Sequence, residues 1–163
     1  MTAPGSVVAL VEKDGLVLSV TRRNKPGNLS LVGGSIEPAD KTPYEALVRE
    51  AREETGINVL EAEKVFERVD KTDGKVAWCY RVKFFTGEPR TTEPGIEVAW
   101  VRPSELLTPQ CTFAEYNRLL FAQLGLTSDG TCAKSKDGRH CVHWWDDDGP
   151  CCTCGFKGDL DNE

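Results

Sequence analysis

The chain has 163 residues, 39% hydrophobic and 28% charged, with a formal net charge of −6 at pH 7. That length suits one domain plus an appendage, and the negative balance disfavours non-specific attraction to nucleic-acid backbone or anionic membrane. Residues 4–11, PGSVVALV, are too short and lack the preceding basic region of a leader, and no apolar run reaches the length of a membrane span, so a soluble, cytoplasmic protein is expected.

In chain order, residues 6–11 read as a strand, Asp14-Gly15 as a hairpin turn and residues 16–21 as the partner strand. Residues 22–30, with Pro26 and Gly27, read as a polar loop. Thr42-Pro43-Tyr44-Glu45 has the form of a capping box, with Thr42 as N-cap, proline at the first helical position and Glu45 at N3. The helix it opens carries Tyr44, Leu47, Val48, Ala51 and Thr55 at helical spacing, a stripe expected to be buried. Gly56 is placed to stop it. Residues 62–69 and 76–85 read as two strands around the turn Thr72-Asp73-Gly74-Lys75, and residues 97–101 as a short further strand. Residues 104–107 suit a helical turn. Residues 112–124 fit an amphipathic helix with Phe113, Tyr116, Leu119, Leu120 and Leu124 on one side. Trp78, Tyr80 and Phe84 alternate along one strand and are expected in the core rather than as a base-stacking platform, and Cys79 and Cys111 as buried thiols. The order predicts an α/β domain with a mixed sheet between helices.

One helix face raises a chemical question. Glu50, Glu53 and Glu54 fall at i, i+3 and i+4, so they share a face, well off the apolar stripe. Like charges at that spacing repel, and a hard cation such as Mg2+ (or Mn2+) would relieve them, because it prefers carboxylate oxygens. Arg49, four residues before Glu53, is placed to hold that carboxylate. A solvated acidic face with an ordinary surface ion pair is the plain alternative. Against it stand a glycine turn, an Arg-Glu pair, a Glu-Glu pair and a closing Gly-Ile pair, all in order within Gly33 to Ile57, GGSIEPADKTPYEALVREAREETGI.

That stretch closely resembles the signature box of the Nudix hydrolases, a family that cleaves nucleoside diphosphates linked to another group with divalent metal ions. The resemblance covers about residues 5–126 and implies a Nudix-type α/β/α sandwich. It also implies that Glu50, Glu53 and Glu54 hold the metal, aided by the main-chain carbonyl of Gly33. Glu37, in the turn, is a further acid near the substrate, and Arg22 and Arg23 end a strand where they could meet phosphate oxygens. Glu53, Glu54, Glu93 and Glu97 all remain candidates for the general base. One departure stands out: five residues separate Gly34 from Asp40 and eight separate Asp40 from Arg49, where the family pattern has glutamate and a spacing of seven. The turn therefore carries an extra residue and a shorter acid. The sequence around residues 69–73 shows neither the proline nor the tyrosine that marks some Nudix subgroups, so the compound cleaved stays open.

Residues 127–163 change character, holding five of the seven cysteines and both histidines. Cys151-Cys152-Thr153-Cys154-Gly155 resembles a zinc knuckle, and Cys141, His143, Cys151 and Cys154 supply four ligands for a tetrahedral Zn2+. Disulfides, loose thiols and a different ligand subset using Cys132, His140 or Cys152 remain as alternatives. Trp144 and Trp145 beside three aspartates look unlike a nucleic-acid surface, so packing on the domain or on a protein partner is expected of this tail. The sequence thus reads as residues 1–126, a metal-dependent nucleotide pyrophosphohydrolase, followed by a zinc-binding appendage at 127–163. The competing reading is a non-catalytic nucleotide-sensing or protein-interaction module on the same fold. Nucleic acid is not expected as a partner beyond a capped end, nor is a membrane.

Overall fold

The structure, a computed structural model, describes residues 5–126. The tail, with Cys141, His143, Cys151 and Cys154, lies outside the described residues. Seven strands form the sheet: β1 (Ser6–Leu10), β2 (Glu12–Lys13), β3 (Leu16–Arg22), β4 (Lys25–Ser35), β5 (Asn58–Val69), β6 (Val76–Thr86) and β7 (Val98–Val101). Helix α1 (Pro43–Thr55) lies between β4 and β5, and α2 (Ala114–Gln123) closes the described chain after a 3-10 turn at Pro103–Leu107. The strand order is β2-β3-β4-β1-β6-β5, with β7 on β3. Only β1 and β6 run parallel among these pairings; the others are antiparallel.

Alternation along the central strands builds two cores. Val7, Ala9 and Val11 face one side with Ala46, Leu47 and Ala51 of α1, all fully buried. Leu10 faces the other with Leu120 and Phe121 of α2. Successive residues of a strand point to opposite faces, so a sheet with apolar residues in both phases must be covered on both sides. The α/β sandwich with a mixed sheet follows from that.

Three local expectations are corrected. Residues 22–30 are not a loop: β3 and β4 form a tight hairpin, Arg22 pairing with Lys25 around Arg23-Asn24, with Asn24 at φ 57°. Pro26 and Gly27 looked like strand breakers, but they sit in the exposed first turn of β4, where a proline leaves no interior ladder bond unmade. Across the Asp14-Gly15 turn, β3 pairs with the short β2 rather than with β1, whose neighbours are β4 and β6. In β6, Tyr80 packs against the α1 core and meets Tyr44 edge to face at 5.9 Å. Phe84, however, is 62% exposed, and Phe85 packs inward in its place. A register shift against β5 near Glu61 flips the alternation there.

The stripe of α2 is also rotated from the expected one. Asn117, Leu120 and Phe121 are buried, whereas Phe113 and Leu119 are largely exposed. Asn117 enters the core because its amide donates to the Leu106 carbonyl, 3.2 Å away, which satisfies a group that burial would otherwise penalise. Cys79 and Cys111 are buried free thiols as expected. Among the described residues no helix is long and apolar enough to cross a membrane.

Candidate active site

Helix α1 starts and stops where its sequence directs. Thr42 Oγ1 accepts from Glu45 N–H at 3.2 Å, and Gly56 terminates it at φ 77°. The return arm of the cap differs slightly, since Glu45 accepts from Lys41 N–H rather than from Thr42. Ala46, Leu47, Ala51 and Thr55 are fully buried, while Tyr44 and Val48 pack at the margin of the core.

The three glutamates share a face but not an environment. Only Glu53 is exposed; the Glu50 side chain is 13% exposed. Glu54 lies against β4 and accepts from Gly33 N–H at 2.9 Å. Burial pushes the Glu54 carboxyl up to about 7, opposed by the Gly33 hydrogen bond and reinforced by the nearby Glu50 charge; Arg22 and Glu93 also act on it through space, in opposite senses. Burial likewise raises Glu50, against the pull of Arg49. The acidic face is therefore not the solvated far side of the helix, because β4 covers two of its three carboxylates. Gly34 makes room for this: a Cβ there would overlap the Glu50 carboxylate.

Arg49 is the hub of the turn. It contacts Glu50 at 2.9 Å, Glu53 at 3.0 Å, Glu37 at 3.6 Å and the Ser35 carbonyl at 2.9 Å. Its main partner is Asp40, which accepts from both Nε and Nη2. Asp40 also takes the Glu37 N–H at 2.8 Å, and Asp40 N–H donates to the Glu37 carbonyl. The extra residue is thus absorbed in a closed turn that still delivers a carboxylate to Arg49. Among the described residues no three acidic, Cys or His side chains are gathered closely enough to enclose an ion in this side-chain arrangement. Arg49 draws Glu50 and Glu53 to itself while Glu54 turns onto Gly33.

The two strand-end arginines behave differently. Arg22 lies over the Phe113 ring, 5.6 Å from its centre, at the rim near Glu54. Arg23 pairs with Glu93 and donates to the Pro94 carbonyl, so it fastens a loop rather than standing free. Beside them opens a cleft of about 680 Å³ lined by Thr21, Asn24 and the loop from Thr91 to Glu97. Glu97 is exposed on this wall, and its N–H donates to Thr21 Oγ1. Asp40 as the anchor of Arg49, and Thr92 on the cleft wall, escaped the sequence reading. Both act through turn and loop geometry that has no periodic signal.

Residues 1–123 match the family model described as the NUDIX domain. The chain belongs to the Nudix family. It is 35% identical over 133 residues to a MutT-like protein of Streptomyces ambofaciens, covering 82% of each chain. To the CTP pyrophosphohydrolase of Escherichia coli it is 34% identical over 108 residues, 62% of this chain and 77% of that one. Among solved structures, the MutT Nudix hydrolase of Burkholderia pseudomallei is similar at 26% identity and a TM-score of 0.58, covering 74% of this chain and 97% of the other. As a Nudix protein the chain is a hydrolase of phosphoric anhydride bonds in nucleotide-linked compounds, and the reading as a non-catalytic module gives way to that. Nudix hydrolases generally use Mg2+ or Mn2+.

Proposed function

We propose that Glu50, Glu53 and Glu54, with the main-chain carbonyl of Gly33, hold Mg2+ or Mn2+ for the hydrolysis of a nucleotide diphosphate linkage. Glu54 carries this reading. It is a largely buried carboxylate beside Glu50, holding one main-chain hydrogen bond, and among the described residues no Lys or Arg forms a salt bridge with it. A buried carboxylate without a directly paired countercharge is costly, and its raised pKa goes with that burial. An all-oxygen donor set of three glutamates and a carbonyl fits a hard divalent cation. To share a cation with Glu54, Glu50 and Glu53 would have to leave Arg49, which holds them at 2.9 and 3.0 Å.

When bound, the cation neutralises phosphate oxygens and lowers the pKa of a coordinated water. The remaining work falls to the chain. Arg49 keeps Glu50 and Glu53 together on this face until a cation competes for them, and Arg22 offers a guanidinium to phosphate oxygens at the rim of the site. Glu37, exposed and 3.6 Å from Arg49, is the further acid that we assign to the substrate side. Arg23 serves less directly, by holding Glu93. Of the candidate bases, Glu93 and Glu97 both line the cleft; Glu93 is paired with Arg23 and Glu97 is exposed, so the choice between them rests on Glu93→Gln and Glu97→Gln in a hydrolysis screen.

A nucleoside triphosphate is the first substrate class to test, by analogy with the CTP pyrophosphohydrolase. The test is a hydrolysis screen over NTPs, oxidised dNTPs, ADP-ribose, NADH, dinucleoside polyphosphates and capped RNA with Mg2+ or Mn2+. Turnover on at least one compound, lost in Glu53→Gln and Glu54→Gln, is expected; turnover unchanged in both variants would remove these residues from the metal site. For residues 127–163 we propose a structural Zn2+ on Cys141, His143, Cys151 and Cys154, from the sequence alone. Metal analysis of the purified chain should find about one zinc per chain. A cytoplasmic setting, which keeps those thiols reduced, is part of the same proposal.

A further inference from the structure

The four carbonyls of the last turn of α1 lack partners within the helix body and must find them elsewhere. The Arg52 carbonyl takes the Gly56 N–H at 2.9 Å, closing the left-handed cap. The other three are met by one loop. Thr92 Oγ1 lies 2.6 Å from the Glu53 carbonyl and 3.1 Å from the Glu54 carbonyl, sharing its single proton between them. Arg90 N–H donates to the Thr55 carbonyl at 2.9 Å. The same loop is fastened at its far end to the β3–β4 hairpin, through Arg23 to Glu93 and Pro94 and through Asn24 N–H to the Gly95 carbonyl at 2.9 Å. Thr92, Glu93, Pro94 and Gly95, which make these attachments, also line the cleft and with Thr91 form one of its walls.

We infer that Thr92 is a positioning residue for the hydrolysis, capping from outside the helix the turn that bears Glu53 and Glu54. This rests on the proposed metal role of those two glutamates. Helix ends open more readily than helix centres, and an opening of this turn would displace two of the three carboxylates at once. The hydroxyl is attached to the backbone of the residues that carry those side chains, so it fixes where both begin. The same loop lines the cleft, but its wall keeps a separate attachment to Arg23 and Asn24, so losing the Thr92 hydroxyl should act on the metal face.

Three variants test this. Thr92→Val keeps the shape and removes the donor, Thr92→Ser restores the donor, and Asn58→Ala removes another exposed contact to the same turn, the Arg52–Asn58 hydrogen bond, without touching a carbonyl. Amide exchange of the metal-free protein should be faster at Gly56 and Arg90 in Thr92→Val. Its affinity for Mn2+, titrated on the protein without substrate, should fall about three- to tenfold, the equivalent of one hydrogen bond. In turnover the Mn2+ activation constant should rise, while the substrate KM at saturating Mn2+ stays within about twofold of wild type. Thr92→Ser should recover all three readouts, and Asn58→Ala should leave Mn2+ affinity unchanged. Wild-type Mn2+ affinity in Thr92→Val, or no recovery in Thr92→Ser, overturns the inference alone. A wild-type protein that binds no Mn2+ overturns the metal reading and the inference together, so the two failures are distinguishable.

Discussion

Asp40 holds Arg49 with both carboxylate oxygens, Oδ1 accepting from Nε at 3.1 Å and Oδ2 from Nη2 at 2.9 Å. The pair spans the one place where the turn is a residue longer than the family pattern. The short Asp40 side chain reaches the guanidinium from a turn closed by its two hydrogen bonds with the Glu37 main chain. Arg49 is then fixed in the plane from which it contacts Glu50 and Glu53.

Asp40→Asn should therefore reduce activity by about 10- to 100-fold, the range for partners that orient metal-binding groups, with most of the loss recovered at high Mn2+. Metal-activation curves for the two proteins check this. Unchanged activation would show that Arg49 keeps its orientation without Asp40.

The same pair sets an acid limit. Hydrogen bonds from Arg49 and from the Glu37 main chain hold the Asp40 carboxyl below its ordinary range. A lowered folded pKa contributes stability that is present above the unfolded value and is lost as pH falls through the folded one. In Asp40→Asn, the decline of stability in that acidic window should be shallower than in wild type. Urea unfolding at a series of pH values reads the slope.

The two glycines near the end of β4, which the sequence placed in a turn, should fail differently. A Cβ on Gly33 would overlap the Val7 carbonyl of the neighbouring strand, a backbone atom that cannot step aside. Gly33→Ala should cost about 1–3 kcal/mol of stability. At Gly34 the obstacle is the movable end of Glu50, so Gly34→Ala should stay folded and lose metal affinity. Thermal unfolding and Mn2+ titration separate the two.

Asn117 is 1% exposed and donates to the Leu106 carbonyl. Asn117→Ala leaves that carbonyl unpaired in the core and should cost about 1–3 kcal/mol, measured by urea unfolding. Activity at temperatures where the variant is folded should change little.

Cys79 is fully buried, and burial pushes its thiol up to about 12. It should resist alkylation in the native protein at pH 8 and react fully once unfolded. Peptide mapping of labelled protein distinguishes it from the cysteines of the tail.

Much of the fold was legible because it is written in short-range patterns. Thr42, Pro43 and Gly56 mark the ends of α1 by local chemistry, and Asp14-Gly15 marks its hairpin in the same way. The failures share a cause. Pro26 and Gly27 read as breakers until the exposed position of early β4 is known. Phe84 and Phe85 exchange places because a register shift against β5 decides the face, and Asn117 displaces Leu119 because a carbonyl on another segment needs a donor. None of these partners is near in sequence.

The order of glycines, arginine and glutamates from Gly33 to Ile57 determined by itself the family, the helix and the face on which its carboxylates lie, since spacing on a helix is a matter of local geometry. Only the tertiary structure decided that those carboxylates differ. It placed β4 over Glu54 and Glu50, left Glu53 in solvent and engaged Arg23 with Glu93. It also brought Asp40 and Thr92 to the two ends of the site. Burial and pairing depend on segments that meet only after folding, and it is burial and pairing that set a carboxylate's charge.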